Sequence, residues 1–526
     1  MEPACIRHTD LPGTTKLFAD FSYHFDRVAR FYRHDPHNPE SLRVAATETD
    51  YPDERRAAMV EALGSQNGAG ASVSGGSESL ARFAEPGTVA IVTGQQVGLF
   101  SGPCYTIYKA ITAARVARDL TARGVPAVPV FWLATEDHDF EEVNHVWTFD
   151  GAHQPLKLSV EKPVELNGRQ RPVGGIAIDR PPVDQLAESL ETFPHGAEVA
   201  AMVRDAYRPG STMGQGFRAL LKHLLAKLDL LFLDPLDPAI RKISEPIIRR
   251  ALEAAPELKA RLVERNKELE AAGYHAQVHV DEKTSLFFLL ENGGRVPLRR
   301  KDFEFSDLRD RAAEISPNAL LRPVVQDFLL PTAAYIGGPA ELAYLAQSQV
   351  IYDRLLGHMP VAMARSSFTL LEPRAAKLLE RYGMNVAQAF VDEESLQAHV
   401  ARVLAPDSVK SAFADAAAEV ESGVAHLRTE IARFDPTLAS ALDKSRAKIL
   451  YQIEKTRRKI ERETLLRNQR ASGDSHYLAS LLFPHRHLQE RFYTILPFLA
   501  RHGVDLIDRL YDAAQIDCPD HRVLEI

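Results

Sequence analysis

Cysteine is scarce in this chain: Cys5, Cys104 and Cys518 are the only three in 526 residues. Their odd number, wide spacing and lack of a CxxC pair exclude a disulfide framework and a thiolate zinc site, and fit a reducing cytoplasm. Long apolar runs are missing as well. No stretch of roughly 18 apolar residues occurs, and the opening MEPACIRHTDLPGTTKLF has no basic region followed by an apolar one, so neither membrane insertion nor export is expected. There is no excess of positive charge either. A net charge of -8 leaves no global field to attract polyphosphate, so DNA or RNA binding is not expected. What is present is an ordinary globular composition, 45% apolar and 25% charged, which must bury a core and divides at this length into two to four units.

Hydrophobic patterning orders those units. A polar, helix-like N-terminal stretch leads to GSQNGAGASVSGGS, residues 64–77, whose composition cannot bury enough surface to offset its ordering entropy and so reads as a mobile surface loop. Thr88 to Thr93 (TVAIVT) is short, apolar and β-branched, Gly94 to Gly102 breaks the pattern, and Tyr105 to Leu120 resumes with helical spacing. Val125 to Ala134 (VPAVPVFWLA) is apolar throughout, as a parallel strand covered on both faces is, although Pro126 and Pro129 weaken its start. The pattern predicts further strands at Leu230 to Pro235, Ser285 to Leu290 and Val361 to Ala364. Helix is predicted over Pro238 to Ala272 and Ala340 to Leu356.

The clearest periodicity comes later. Val409, Phe413, Ala416, Val420, Val424, Leu427, Ile431 and Phe434 recur every three or four residues, Asp435 and Pro436 interrupt, and Leu442, Ile449, Ile453 and Ile460 mark a second long helix ending near Arg470. Six acidic against three basic residues in 407–435 face ten basic against four acidic in 441–470, so the two arms attract each other as an antiparallel coiled-coil hairpin. The basic arm's charge is explained by its acidic neighbour rather than by nucleic acid.

Three polar clusters stand where these elements end. Thr93, Gly94, Gln95 and Gln96 run through Ser101 and Gly102 to a helix starting near Cys104, a position where backbone N–H groups and a helix dipole favour phosphate or carboxylate. Tyr105 and Lys109 follow on that helix, and Lys109 reaches back toward such an anion. The pattern is neither a Walker loop nor GxGxxG, and the plainer alternative is an ordinary glycine-capped loop. Cys104 reads more simply as a small buried thiol than as a nucleophile.

The second cluster, Glu136, Asp137, His138 and Asp139 with Asn144 and His145 beyond, places four consecutive titratable groups at a buried strand's end. That is unfavourable unless solvent, metal or substrate meets them. His138 is suited to move a proton near neutral pH, and Asp137 or Asp139 to orient the ring or accept an amine. No zinc spacing is present, so no dedicated metal is expected; Mg2+ would arrive with a nucleotide. The third cluster comprises Arg322, Gln326 and Asp327, then Tyr335, Gly337, Gly338, Glu341 and Tyr344, with Arg365 further on. Gly337 and Gly338 before a helix form a second anion cradle, and Arg322 or Arg365 can fork a carboxylate.

Taken together, TGQQVGLFSGPCYTIYK, VFWLATEDHDFEEVNHV, SPNALLRPVVQD, YIGGPAELAYLAQ and FPHRHLQER resemble the BshC family, the proposed cysteine-adding ligases of bacillithiol biosynthesis, over nearly the whole chain. One departure is Arg486, where the family commonly has glycine. The resemblance implies an α/β fold with a Rossmann-like parallel-sheet core, connecting inserts and a C-terminal antiparallel coiled-coil hairpin used in dimerisation. The corresponding division is 1–150 for the first part of the core, 151–311 for inserts and further core elements, 312–390 for the second part of the core, 391–475 for the arm and 476–526 for a C-terminal helical segment.

The implied reaction joins the carboxyl group of L-cysteine to the amine of glucosaminyl-malate, with a nucleotide, ATP or ADP, and Mg2+ to activate the carboxylate. Thr93 to Gly102 with Lys109 would cradle phosphate or carboxylate, Asp137, His138 and Asp139 would handle the amine, and Arg322 or Arg365 would clamp malate. Other readings are a different nucleotide-using amide former or nucleotidyl transferase on the same core, or a coiled-coil scaffold with a vestigial site.

Overall fold

The computed structural model describes residues 4–68, 77–162, 170–281, 283–298 and 308–526. Two compact units emerge, one built from the chain up to Leu370 together with 490–524, the other from Leu371 to Gln489. Residues 64–67, expected to be loop, complete the helix Asp53–Asn67, and Ser77 opens the helix Ser77–Ala84. The rest of that expected mobile loop, 69–76, lies outside the described residues.

The first unit is organised by a five-stranded sheet. Its strands are β1 (Val89–Gln96), β2 (Ala127–Ala134), β3 (Leu231–Leu233), β4 (Thr332–Gly337) and β5 (Val361–Ala364). They lie in the order β5-β4-β1-β2-β3, and every pair is parallel. Continuous apolarity is explained by two cores: Val89 and Ile91 pack on one face with Ala113 and Val116, while Ala90 and Val92 pack on the other with Val130 and Trp132. Each valine and isoleucine among them contributes about 1.5–3 kcal/mol when fully buried. Pro129 is tolerated inside β2 because it pairs with Ile91 on one side only; the ladder to β3 starts one residue later, at Val130. β1 runs two residues beyond the glycine expected to end it, since Gln95 and Gln96 still pair with Leu133 and Ala134.

The chain leaves β1 toward β2 and β3 on one side and returns to β4 and β5 on the other. Strand order therefore reverses between β1 and β4, and a ligand crevice forms at the carboxyl ends there. Helix α1 (Tyr105–Ala122) follows β1, the short α2 (Phe140–Val143) follows β2, α3 (Arg322–Leu329) precedes β4 and α4 (Pro339–Leu355) follows it. The single helix expected over Pro238 to Ala272 is two, Pro238–Glu253 and Ala255–Ala271; Pro256 at the start of the second has no N–H to continue the first. An antiparallel sheet of Phe287–Glu291, Gly294–Pro297 and Ile315–Pro317 stands beside the crevice. The C-terminal stretch expected to be helical has helices Leu496–His502 and Leu506–Ala513, but then a strand, His521–Glu525, that pairs with Ala4–Ile6.

The second unit contains the hairpin. α5 (Asp407–Phe434) and α6 (Pro436–Arg467) are joined through Asp435 alone. Ion pairs Glu421–Arg446 at 2.7 Å and Arg428–Asp443 at 3.3 Å converge toward the turn, the antiparallel register that the charge pattern predicts. α6 stops three residues early because the Asn468 side chain accepts from Ala471 N–H and starts a new helix, Gln469–Leu482. Residues His485 and Arg486 have φ of 47° and 66°. Arg486 thus occupies a left-handed position, the backbone region that favours glycine.

Candidate active site

A cavity of about 520 Å³ opens at the carboxyl ends of β1 and β4, where the strand order reverses. This is an ordinary size for a small-molecule site. Gly94 forms its floor, and a Cβ there would sit 2.9 Å from the Trp132 carbonyl oxygen, so only glycine lets β1 lie this close to β2.

One wall is cationic. Lys109 Nζ, 3% exposed, donates to Gly94 O at 2.8 Å and Gln95 Oε1 at 2.9 Å and pairs with Glu341. Burial pulls its ammonium below the ordinary lysine value against the pull of Glu341. Burial alone would raise the Glu341 carboxyl, but Lys109 and the Gly338 N–H, which donates at 2.8 Å, hold it below the usual range. Arg322 donates to Tyr344 Oη at 2.7 Å and Tyr335 Oη at 3.3 Å and has no carboxylate partner among the described residues. Arg365 forks Glu490 at 2.6 and 3.0 Å, both side chains almost fully buried. Arg491 reaches the cavity exposed, and the guanidinium groups of Arg365 and Arg491 lie 5.3 and 5.9 Å from the Tyr105 ring centre. Four cations (Lys109, Arg322, Arg365, Arg491) against two carboxylates (Glu341, Glu490) leave this wall two positive charges in excess.

The opposite wall has the other sign. Gln96 Nε2 donates to Asp137 at 2.7 Å and to Glu142 at 2.8 Å, binding both carboxylates with one amide. Burial would raise the Asp137 carboxyl, but Gln96 and the N–H groups of His138 and Asp139 hold it below its ordinary value. Glu136 is buried against Arg241 at 2.7 Å, with burial outweighing that cation and raising its carboxyl. Arg295 donates to His138 Nδ1 at 2.7 Å and to Pro317 O at 2.9 Å. Asp137, Glu142 and Glu136 against Arg241 and Arg295 leave this wall one negative charge in excess, with the histidine neutral.

Of the residues singled out in the sequence, Gly94, Gln95, Gln96, Tyr105 and Lys109 line the cavity from β1 and α1. Glu136, Asp137 and His138 line it from the loop after β2; Arg322, Tyr335, Gly338, Glu341, Tyr344 and Arg365 do so from the elements around β4 and β5. The others lie elsewhere. Thr93 donates to Ile336 O at 2.9 Å inside the sheet, and Gly337 O accepts Arg365 N–H. Asp139 caps α2 through Glu142 N–H at 3.2 Å, while Asn144 and His145 bond each other at 3.0 Å. Gln326 and Asp327 are buried side by side, Asp327 held by Tyr352 with burial pushing its carboxyl up to about 6.

The expected anion cradle between β1 and α1 is closed. Phe100 N–H donates to Tyr207 Oη, Gly102 N–H to Leu99 O and Cys104 N–H to Tyr493 O, and Ser101 Oγ meets Thr494 Oγ1 at 3.1 Å. Phe100, Ser101 and Gly102 all have left-handed φ, a strained turn locked by packing rather than opened for phosphate. Cys104 is buried, which pushes its thiol up and away from the thiolate. The second cradle's Gly338 N–H is likewise taken by Glu341.

Sequence reasoning missed Arg295 and Arg491. Arg491 sits in the LQER run that carried the resemblance, and that run was the available signal. Arg295, in GGRVP, had none. Among the described residues no three His, Cys, Asp or Glu side chains converge to hold a metal.

Comparison with known proteins agrees with this architecture. Residues 1–366 match the family model described as bacillithiol biosynthesis BshC, N-terminal Rossmann-like domain, and residues 368–526 match the BshC C-terminal coiled-coil domain. The chain is similar to proteins named "putative cysteine ligase BshC". It is 52% identical to that of Solibacter usitatus and 35% identical to that of Koribacter versatilis, each over all of both chains. It is 33% identical to that of Salinibacter ruber, over 97% of this chain and 96% of the other.

Proposed function

Because this chain belongs to the BshC family of bacillithiol biosynthesis, we propose that it is the ligase joining the carboxyl group of L-cysteine to the amine of glucosaminyl-malate, the last step of bacillithiol formation. The observation that carries this reading is the charge of the two cavity walls. A surplus of two positive charges suits the two carboxylates of a malyl group, and a surplus of one negative charge suits an ammonium. Arg322 and Arg491, free of carboxylate partners among the described residues, clamp the malyl end; Arg365 is committed to Glu490 and supports them from behind. Asp137 holds the amine, and Glu142, tied to it through Gln96, is the second acceptor for the departing proton.

A carboxylate does not react with an amine until one oxygen becomes a leaving group, and a nucleotide with Mg2+ is the co-substrate class that supplies this. The loop from Thr93 to Gly102 fits its phosphates poorly, since the N–H groups of Gly98, Phe100 and Gly102 are bonded within the protein. The test is to incubate purified protein with L-cysteine, glucosaminyl-malate, Mg2+ and ATP or ADP, and follow bacillithiol and nucleotide products by mass spectrometry. Bacillithiol appearing only with all substrates supports the reading, and no amide product with any nucleotide refutes it. Arg491→Ala is expected to raise KM for glucosaminyl-malate ~10- to 100-fold, the scale of one charge-assisted hydrogen bond, with kcat changed far less in the same assay.

We further propose a cytoplasmic homodimer joined through the arm. Leu427, Phe434, Ile449, Tyr451 and Leu466 are large apolar residues left exposed on α5 and α6, more than a lone hairpin needs to show water. Among the described residues no helix is long and apolar enough to cross a membrane. Leu427→Glu combined with Tyr451→Glu is expected to convert dimer to monomer in light scattering while helix content stays constant; an unchanged molar mass contradicts the arm as the interface.

A further inference from the structure

His138 has only one nitrogen available to a substrate. Its Nδ1 lies 2.7 Å from Arg295 Nη1. A guanidinium only donates, so Nδ1 must accept, and the proton of a neutral ring then sits on Nε2. Nε2 has no hydrogen-bond partner among the described residues, and the ring lines the cavity. Arg295 is itself fixed. It is 7% exposed, donates also to Ser316 Oγ at 3.2 Å and Pro317 O at 2.9 Å, and its guanidinium lies 3.9 Å from the Phe288 ring centre, against which the His138 ring also packs.

We propose that Arg295 is the positioning residue that locks His138 with its proton on Nε2, so that His138 donates a hydrogen bond to the reacting carbonyl oxygen instead of serving as the base. This rests on the ligase reading for the identity of that oxygen, whereas the lock itself does not. The charged groups facing the ring are Arg295 from the neighbouring sheet and Asp137 and Asp139 from its own loop, with the Glu136–Arg241 pair beyond. Burial and Arg295 lower the imidazole below its ordinary value and the two aspartates only partly restore it, so the ring stays uncharged at neutral pH.

In the reaction, the substrate ammonium first gives one proton to the Asp137 carboxylate, and the freed nitrogen lone pair forms the C–N bond to the carboxyl carbon of cysteine, already activated by the nucleotide. The carbonyl π pair moves onto oxygen, where the His138 Nε2–H meets the developing charge. Collapse restores the carbonyl and breaks the C–O bond to the activating group, which leaves with the electron pair. The second proton, on the nitrogen of the adduct, passes to the Glu142 carboxylate. A base at His138 would need the Nε2 lone pair that this tautomer lacks.

Two experiments separate donor from base. Glutamine places an amide N–H near the Nε2 position and cannot take up a proton at neutral pH. His138→Gln is therefore expected to lower kcat about tenfold and His138→Ala ~10²- to 10³-fold, the loss typical of an oxyanion donor; equal losses in both overturn the donor role. In the ¹⁵N spectrum of histidine-labelled protein, the His138 signals, assigned by their loss in His138→Gln, are expected to show a bare Nδ1 and protonated Nε2 at neutral pH. In Arg295→Met the two tautomers should mix and the ring should titrate at higher pH, with Arg295→Lys partly restoring the wild-type pattern. A wild-type ring protonated on Nδ1, or charged at neutral pH, overturns the lock. A locked ring in a protein that makes no bacillithiol upholds the positioning and refutes the ligase reading instead.

Discussion

Asp137→Asn is expected to lower kcat for bacillithiol formation by about 10³-fold, the scale of a lost acid-base or charge partner, with the unfolding midpoint nearly unchanged. The substitution preserves shape and removes charge. Asp137 Oδ2 accepts from Gln96 and Oδ1 from the N–H groups of His138 and Asp139, contacts that an asparagine oxygen can in part retain. What disappears is the negative charge that these donors keep on the carboxylate by lowering its proton affinity. Initial rates by mass spectrometry and a thermal melt of the same sample measure both quantities. A variant with wild-type turnover would remove the loop after β2 from the chemistry.

Glu490→Gln is expected to have the largest effect on stability, a loss of ~3–5 kcal/mol, because it strands the Arg365 guanidinium in a buried site. Glu490 accepts both arms of Arg365, the Ser367 hydroxyl at 3.0 Å and the Phe368 N–H at 3.0 Å. Burial would raise this carboxyl, but Arg365 outweighs it and brings it down to about 2. A folded value below the unfolded one, ~4.3, means that the contribution is complete above pH 4.3 and disappears as pH falls toward 2. Urea unfolding of wild type and variant at pH 7 and at pH 3 checks the sign: the gap between them narrows at the lower pH. The same change loosens the backing of Tyr105 and the chain beside Arg491, so KM for glucosaminyl-malate rises with it.

The strands were legible in the sequence because burial on both faces leaves an unbroken apolar run, as in VAIVT and VFWLA, and the hairpin because a narrow apolar stripe must recur at the helical period. The polar clusters were legible too, since Glu136, Asp137 and His138 at a buried strand's end have few stable alternatives. The loop between β1 and α1, read in the sequence as an anion cradle, has the N–H groups of Gly98, Phe100 and Gly102 already bonded. Its glycines signal a tight turn, but whether the N–H groups stay open depends on Tyr207 and Tyr493, about 100 and 390 residues away in sequence. Lys109 was assigned to an anionic ligand for the same reason, while its Glu341 partner lies on α4. Arg295 was invisible because nothing in GGRVP announces that a distant strand will deliver a guanidinium to His138. Local pattern encodes which surfaces are buried; which donors are already paired is decided by contacts that span the chain.

In the proposed ligase the amide bond is made in the cavity where the sheet order reverses, with opposite charges sorting the two ends of one substrate. A crystal structure of the protein with glucosaminyl-malate tests it most directly. The malyl carboxylates are expected within hydrogen-bond distance of Arg322 and Arg491, and the amine against Asp137. Ligand bound outside this cavity, or bound in it with the amine at the arginines, would contradict it.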